Sequence, residues 1–274
     1  MNMKRVMLAA MLPGMMVMQA ARAETEAAPA GLTFSAGAGV AVTPAYDGAD
    51  AYRGLLLPRA TLTAAGGAGH LRLGFPDGLR WDLPVGDAVG LAVLGNYDPG
   101  RREQVRTLNG RGHRLHGMGD LGGTPVAGLE ASLNAFPYRL FVRGMQGLRD
   151  RAYGGEDLGH TRWLDAGAGV TMPLGGAVNM NLQTWVTWSD GSDMMARFGV
   201  TPAQAARSGY RAYHPAGGLR SATLLWGADW QWTPRVTLDG GVTLTSLSSG
   251  VAGNSPLVRN TTTGGLFLDA MYTF

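Results

Sequence analysis

The stretch Leu266-Phe267-Leu268-Asp269-Ala270-Met271-Tyr272-Thr273-Phe274 decides the fold. A strand sends successive side chains to opposite faces. Leu266, Leu268, Ala270, Tyr272 and Phe274 therefore share one wholly apolar face, while Asp269 and Thr273 lie on the other. This pattern suits a barrel wall with lipid outside and a polar lumen inside. It suits the last strand of a soluble barrel as well, so the remainder of the chain has to separate the two.

The opposite end speaks for export. Lys4 and Arg5 precede an apolar run from Val6 to Met18 that is broken by Pro13 and Gly14, and Ala21-Arg22-Ala23 offers a small-x-small cleavage site. Residues 1–23 are expected to be a cleaved secretory signal, and residues 24–30 a short tail before one domain over 31–274. No later run reaches the roughly 18 apolar residues of a spanning helix, so a membrane form must cross with strands. Cleavage takes Lys4, Arg5 and Arg22 out of 23 basic residues and none of the 20 acids, leaving the signs balanced. A nucleic-acid partner therefore has no electrostatic footprint. The absence of cysteine excludes disulfides, thiolate chemistry and a lipoprotein-type anchor.

Alternating runs recur along the chain. Val178, Met180, Leu182, Thr184, Val186 and Trp188 interleave with Asn179, Asn181, Gln183, Trp185 and Thr187, and similar runs occupy 138–143, 164–172, 226–232 and 236–245. Short links at 84–87, 134–137, 173–176 and 233–234 take turns with long ones at 99–120, 149–157, 190–217 and 248–260. Outer-membrane barrels show that asymmetry, with short periplasmic turns and long outside loops. If 70–84 folds back at Pro76-Asp77-Gly78, the pattern predicts an all-β, antiparallel up-and-down transmembrane barrel of about twelve strands, and the short arms His70 to Phe75 and Leu79 to Leu83 leave ten or fourteen as alternatives. Trp188, Trp232, Tyr138, Tyr272 and Phe274 fall at proposed strand ends, as an interfacial aromatic girdle requires.

The polar faces name the candidate functional residues. Glu130, Arg139, Arg143, Asp165, Asp229, Asp239 and Asp269 point into the lumen, where mixed charge either pairs and fills the barrel or lines a narrow pore. Arg139 and Arg143 would then set anion preference. Arg101, Arg102, Arg106, Arg111 and Arg114 crowd one outside loop and form a candidate contact for lipopolysaccharide phosphates, the alternative being a solvated loop. His113 and His116 in that loop lack a third ligand apart from Asp120, so no metal is expected. The chain has no nucleotide loop, zinc helix motif or nucleophile elbow, so neither catalytic residues nor a cofactor is expected. Thr201-Pro202, followed by Ala203 to Arg207 and Gly209, predicts a short capped helix in the 190–217 loop.

Two resemblances complete the reading. The aromatic at position 274, with Tyr272 two before it, is similar to the signal by which the outer-membrane assembly machinery recognises its substrates; Leu266, Leu268, Ala270, Tyr272 and Phe274 carry it. Pro44-Ala45-Tyr46-Asp47-Gly48 with Tyr52-Arg53 and Pro58, then Phe198 to Gly209, then Ser255-Pro256-Leu257-Val258-Arg259, resemble the MipA/OmpV family of MltA-interacting proteins over essentially the whole mature chain. That resemblance implies an outer-membrane barrel without enzymatic activity. It also implies a scaffold joining a lytic transglycosylase to a penicillin-binding synthase in peptidoglycan growth. The alternative is a narrow channel for small polar solutes, which the polar lumen would suit.

Overall fold

The computed structural model describes residues 31–112 and 114–274. The expected signal and tail, and His113, lie outside the described residues. Twelve strands close into one antiparallel barrel, in the ring order β1 (Gly31–Pro44), β16 (Thr262–Thr273), β15 (Val236–Leu247), β14 (Gly218–Thr233), β13 (Val178–Ser189), β12 (Arg162–Gly175), β9 (Tyr138–Gly147), β8 (Thr124–Ala135), β5 (Val89–Asp98), β4 (Gly78–Leu83), β3 (Gly69–Phe75) and β2 (Tyr52–Gly66). Every neighbour in the ring is also the next barrel strand along the chain. The one exception is the seam, where β16 pairs with β1 from Ser35↔Thr273 to Val42↔Leu266. Closure gives every wall strand a neighbour on both sides over at least part of its length, so the ring has no edge strand.

Alternation sets which side faces lipid. On β16 Leu266, Leu268, Ala270 and Tyr272, and Phe274 just past its end, are exposed on the outer wall, while Phe267, Asp269 and Met271 are buried inside. The same holds on β14, where Leu224, Trp226 and Trp230 face out and Thr223, Leu225 and Asp229 face in. Trp188, Trp232, Tyr138, Tyr272 and Phe274 are all exposed at strand ends, as a girdle demands. Phe274 stacks on Phe34 of β1 at 5.4 Å and meets Tyr272 edge-on at 4.9 Å, so the aromatic end of the chain sits on the seam.

One end of the barrel carries only tight links and the other carries the long loops. The fold-back at 76–77 is present, but its arms are short: β3 and β4 have 7 and 6 residues, against 16 in β14. Spanning strands need roughly 9–11 residues, so the wall is low there. The long loops are structured. One carries the hairpin β6 (Val105–Thr107) and β7 (Gly110–Gly112), another the hairpin β10 (Arg151–Tyr153) and β11 (Glu156–Gly159). The 190–217 loop holds two helices, α1 (Gly191–Phe198) and α2 (Pro202–Ser208). The expected helix is α2: Thr201 and Gln204 form a reciprocal capping box, and Gly209 leaves in the left-handed region at φ 75°. The sequence reading did not anticipate α1, which starts at an Asp190 cap whose carboxylate accepts the Asp193 N–H at 2.8 Å.

Candidate functional site

The lumen is built from inward residues at three levels. At mid-height an apolar band runs round the inner wall through Phe141 on β9, Trp185 on β13, Leu225 on β14, Phe267 on β16, Ala41 on β1 and Leu57 on β2. Glycines make room for its rings. A side chain at Gly167, which pairs with both Phe141 and Trp185, would meet the Phe141 ring at 2.7 Å, and the Phe267 ring lies over Gly241. Each band member is at most 5% exposed, although all of them point into the barrel. A water-filled lumen would leave such side chains wet.

Charges lie on both sides of this band. Arg143 binds Asp165 at 2.9 Å, and Asp165 also accepts from the Thr187 hydroxyl at 2.7 Å. Arg139 holds Glu130 at 2.6 Å, and Arg143 approaches Glu130 at 4.0 Å. Both guanidiniums lie over the Phe141 ring, at 5.9 and 5.8 Å. Arg80 joins the set by bridging Glu130 at 2.8 Å and Asp82 at 2.7 Å. On the other wall Asp229, Asp239 and Asp269 stand directly opposite one another on adjacent strands. Asn179 and Asn181 each donate to Asp229 at 3.0 Å, and Arg59 binds Asp269 at 2.7 Å and Asp77 at 2.9 Å. Pairing and amide donation offset the cost of placing these charges in a confined interior.

All seven lumen residues expected from the sequence face inward, and four of them, Glu130, Arg139, Arg143 and Asp165, form one linked chain. Arg59, Asp77 and Arg80 were missed. Arg59 and Arg80 stand on the inward parity of Leu57-Pro58-Arg59 and Leu79-Arg80-Trp81-Asp82, so alternation alone could have found them.

The loops close the outside mouth. Arg197 of α1 binds Asp193 at 3.0 Å, Asp47 at 3.1 Å and Asp98 at 3.4 Å, while Arg220 on β14 takes the other Asp193 oxygen at 2.6 Å. Burial opposes ionisation of Asp193, but the Arg197 and Arg220 guanidiniums outweigh it and hold its carboxyl down to about 2. Burial likewise works against the charge on Arg197, and Asp193, Asp47 and Asp98 override it and raise its pKa above the ordinary arginine value. Apolar packing seals the rest. Met194 and Phe198 of α1 bury against Leu247 and Ala252, while Leu115, Met118, Leu121, Tyr153, Ala196, Val200 and Leu257 make a second loop core. The Gln204 side chain donates to the Met118 carbonyl at 2.7 Å, tying α2 to the 99–123 loop.

The five loop arginines do not act as one cluster. Arg101 turns inward, donating to the Arg197 carbonyl at 2.8 Å and to the Tyr153 hydroxyl. Arg102 pairs with Asp120 at 2.8 Å on the surface, and Arg114 lies 3.5 Å from Asp50. Arg106 is exposed and has no ion pair among the described residues. Arg111 stands opposite it in the β6–β7 ladder, its side chain outside the described residues. His116 lies 3.4 Å from Glu103, and no group of three metal-ligating side chains occurs among the described residues.

Comparison with solved structures finds barrels. The translocator domain of the autotransporter NalP from Neisseria meningitidis matches with 12% identity over 95% of this chain and 96% of its own, at a TM-score of 0.47. The NanC porin matches with 10% identity over 87% and 98%, at 0.44. The outer-membrane channel DcaP of Acinetobacter baumannii matches with 8% identity over 89% and 96%, at 0.39. No curated protein matches the chain. The model of the MltA-interacting protein family, MipA, matches residues 36–274. With the closed barrel, its apolar outer wall and its aromatic girdle, that match makes the chain an outer-membrane β-barrel that belongs to the MipA family.

Proposed function

We propose that this barrel is a non-enzymatic scaffold held in the outer membrane, joining a murein hydrolase to a murein synthase during peptidoglycan growth. The filled interior carries the reading. An apolar band, an ion-paired charge network and a latched mouth fill much of the interior, which supports a binding role over a conducting one. The family's name supports a partner of the MltA kind. Among the described residues, the surface available to it is the periplasmic rim: the short turns and the lower lumen, where His70, Thr171, Asn179 and Asp239 are only half-buried.

That polar lower lumen favours the second reading, a narrow channel for small polar solutes in which Arg139 and Arg143 set ion preference. Two measurements on the refolded mature protein separate them. Periplasmic pull-down should recover a murein hydrolase and a murein synthase, and planar bilayers should stay silent. Discrete conductance steps whose ion preference shifts in Arg139→Ala/Arg143→Ala, with no enzyme recovered, would replace the scaffold by the channel.

A further inference from the structure

The low wall at β3 and β4 leaves an opening in the side of the barrel. β3 pairs with β2 only from Ala60↔Phe75 downward, so on that side β2 from Tyr52 to Arg59 has no barrel strand beside it. On the far side β4 pairs with β5 no higher than Leu79↔Gly95. The β6–β7 hairpin roofs the gap: the Leu108 N–H donates to the Tyr52 carbonyl at 2.8 Å, and the Leu108 side chain lies against the outer face of Gly54. Both partners of a strand residue point to one side of an antiparallel ladder and alternate along it. The N–H and C=O groups of Gly54 and Leu56 therefore share the open edge with the Tyr52 carbonyl, and Pro58 leaves only a carbonyl there.

Three properties meet at this opening. Leu56 and Leu108 are 78% and 62% exposed, an apolar strip on the lipid-facing wall. Open backbone groups in the same place need hydrogen-bond partners that hydrocarbon lacks. Above them, the hairpin carries Arg106, which is exposed. The acids of this loop are engaged elsewhere. Asp120 takes Arg102 and the Glu103 N–H, and Glu103 takes the Gly117 and Gly119 N–H groups. Among the described residues Arg106 is left without a counter-charge.

The geometry points to a docking site for a phosphate-bearing glycolipid of the outer leaflet. The phosphate lies at Arg106 on the hairpin, the sugar hydroxyls meet the open edge of β2 at Gly54 and Leu56, and an acyl chain covers Leu56 and Leu108. A phospholipid would supply the chain and one phosphate but no sugar for the edge. A free anion would supply neither chain nor sugar.

The test uses the mature chain with a benzophenone-bearing residue in place of Leu108, reconstituted in vesicles holding a phosphorylated acyl-disaccharide glycolipid, its dephosphorylated form, or phosphatidylglycerol alone. Irradiation should give an adduct of the phosphorylated glycolipid mass, about tenfold more than with either other lipid, and Arg106→Ala should remove most of that preference. Millimolar inorganic phosphate should not compete. Equal adducts with all three lipids, competition by inorganic phosphate, or a preference unchanged in Arg106→Ala would each overturn the site. Arg106 is exposed, so the variant should fold; heat-modifiable gel mobility checks this. The salt dependence of the wild-type preference gives a second reading that needs no variant.

Discussion

Replacing Arg197 by alanine removes the residue that latches α1 across the mouth. Its guanidinium holds three carboxylates at 3.0–3.4 Å, of which Asp193 is fully buried and Asp47 exposed. Removing one partner of a buried pair costs roughly 3–5 kcal/mol when the other is left alone. Here Asp193 keeps Arg220 and Asp98 keeps Arg151 at 3.0 Å, so the cost falls to about 2–3 kcal/mol. The barrel wall does not depend on this latch, so the assay must be local. Hydrogen exchange at the amides of Met194 and Gly199, which close α1, should accelerate about 30- to 150-fold at neutral pH. Amides of β8 and β9 should hardly change. The sign with pH follows from a depressed pKa. The Asp193 contribution is complete above the ordinary carboxylate range and drains away as pH falls toward 2, so the wild type should approach the variant in acid. Unchanged exchange in α1, or acceleration spread evenly through the wall, would refute the latch.

Other consequences test the interior and the seam. Gly167→Leu should cost at least about 1–3 kcal/mol or prevent closure, read as loss of the heat-modifiable folded band, because a side chain there meets Phe141 and Trp185. Phe141→Ala should cost about 3–5 kcal/mol in denaturant titration and loosen Arg139 and Arg143, whose guanidiniums both lie on its ring; a cost under about 1 kcal/mol would mean that the band is not packed. Phe274→Ser should slow assembly in a reconstituted membrane system, with a larger effect than Phe34→Ser if the residue is a recognition signal and an equal one if it only stacks at the seam. Thr201→Ala should cost about 1 kcal/mol, confined to exchange in α2, by removing the oxygen that accepts from Gln204 N–H.

Barrel, an even count near twelve and outside loops were legible because lipid imposes a period of two on every wall strand, and because the links alternate in length. Even the short fold-back at Pro76-Asp77-Gly78 showed itself as a parity requirement. The lumen charges were legible for the same reason, and Arg59 and Arg80 were overlooked rather than hidden. The latch was not legible. Asp193 and Arg197 show a helical i,i+4 spacing, but Asp47, Asp98 and Arg220 reach them only after the ring has closed, across sequence separations that no local pattern encodes. The division of the loop arginines was hidden in the same way. Arg101 and Arg106 read alike in the chain, and only the packing of Tyr153 and the Arg197 carbonyl draws one inward.

The uneven rim also gives the mouth a direction. The low side is β3 and β4, and β13 and β14 lie across the ring from it. The 190–217 segment springs from β13 and β14, and its arginine lands on Asp98, the last residue of β5 beside the low side, and on Asp47 in the β1–β2 loop. It is mounted like a visor, hinged on the far side of the rim and fastened beside the low one. Were the fastening released, the mouth would open toward β3 and β4 rather than straight up.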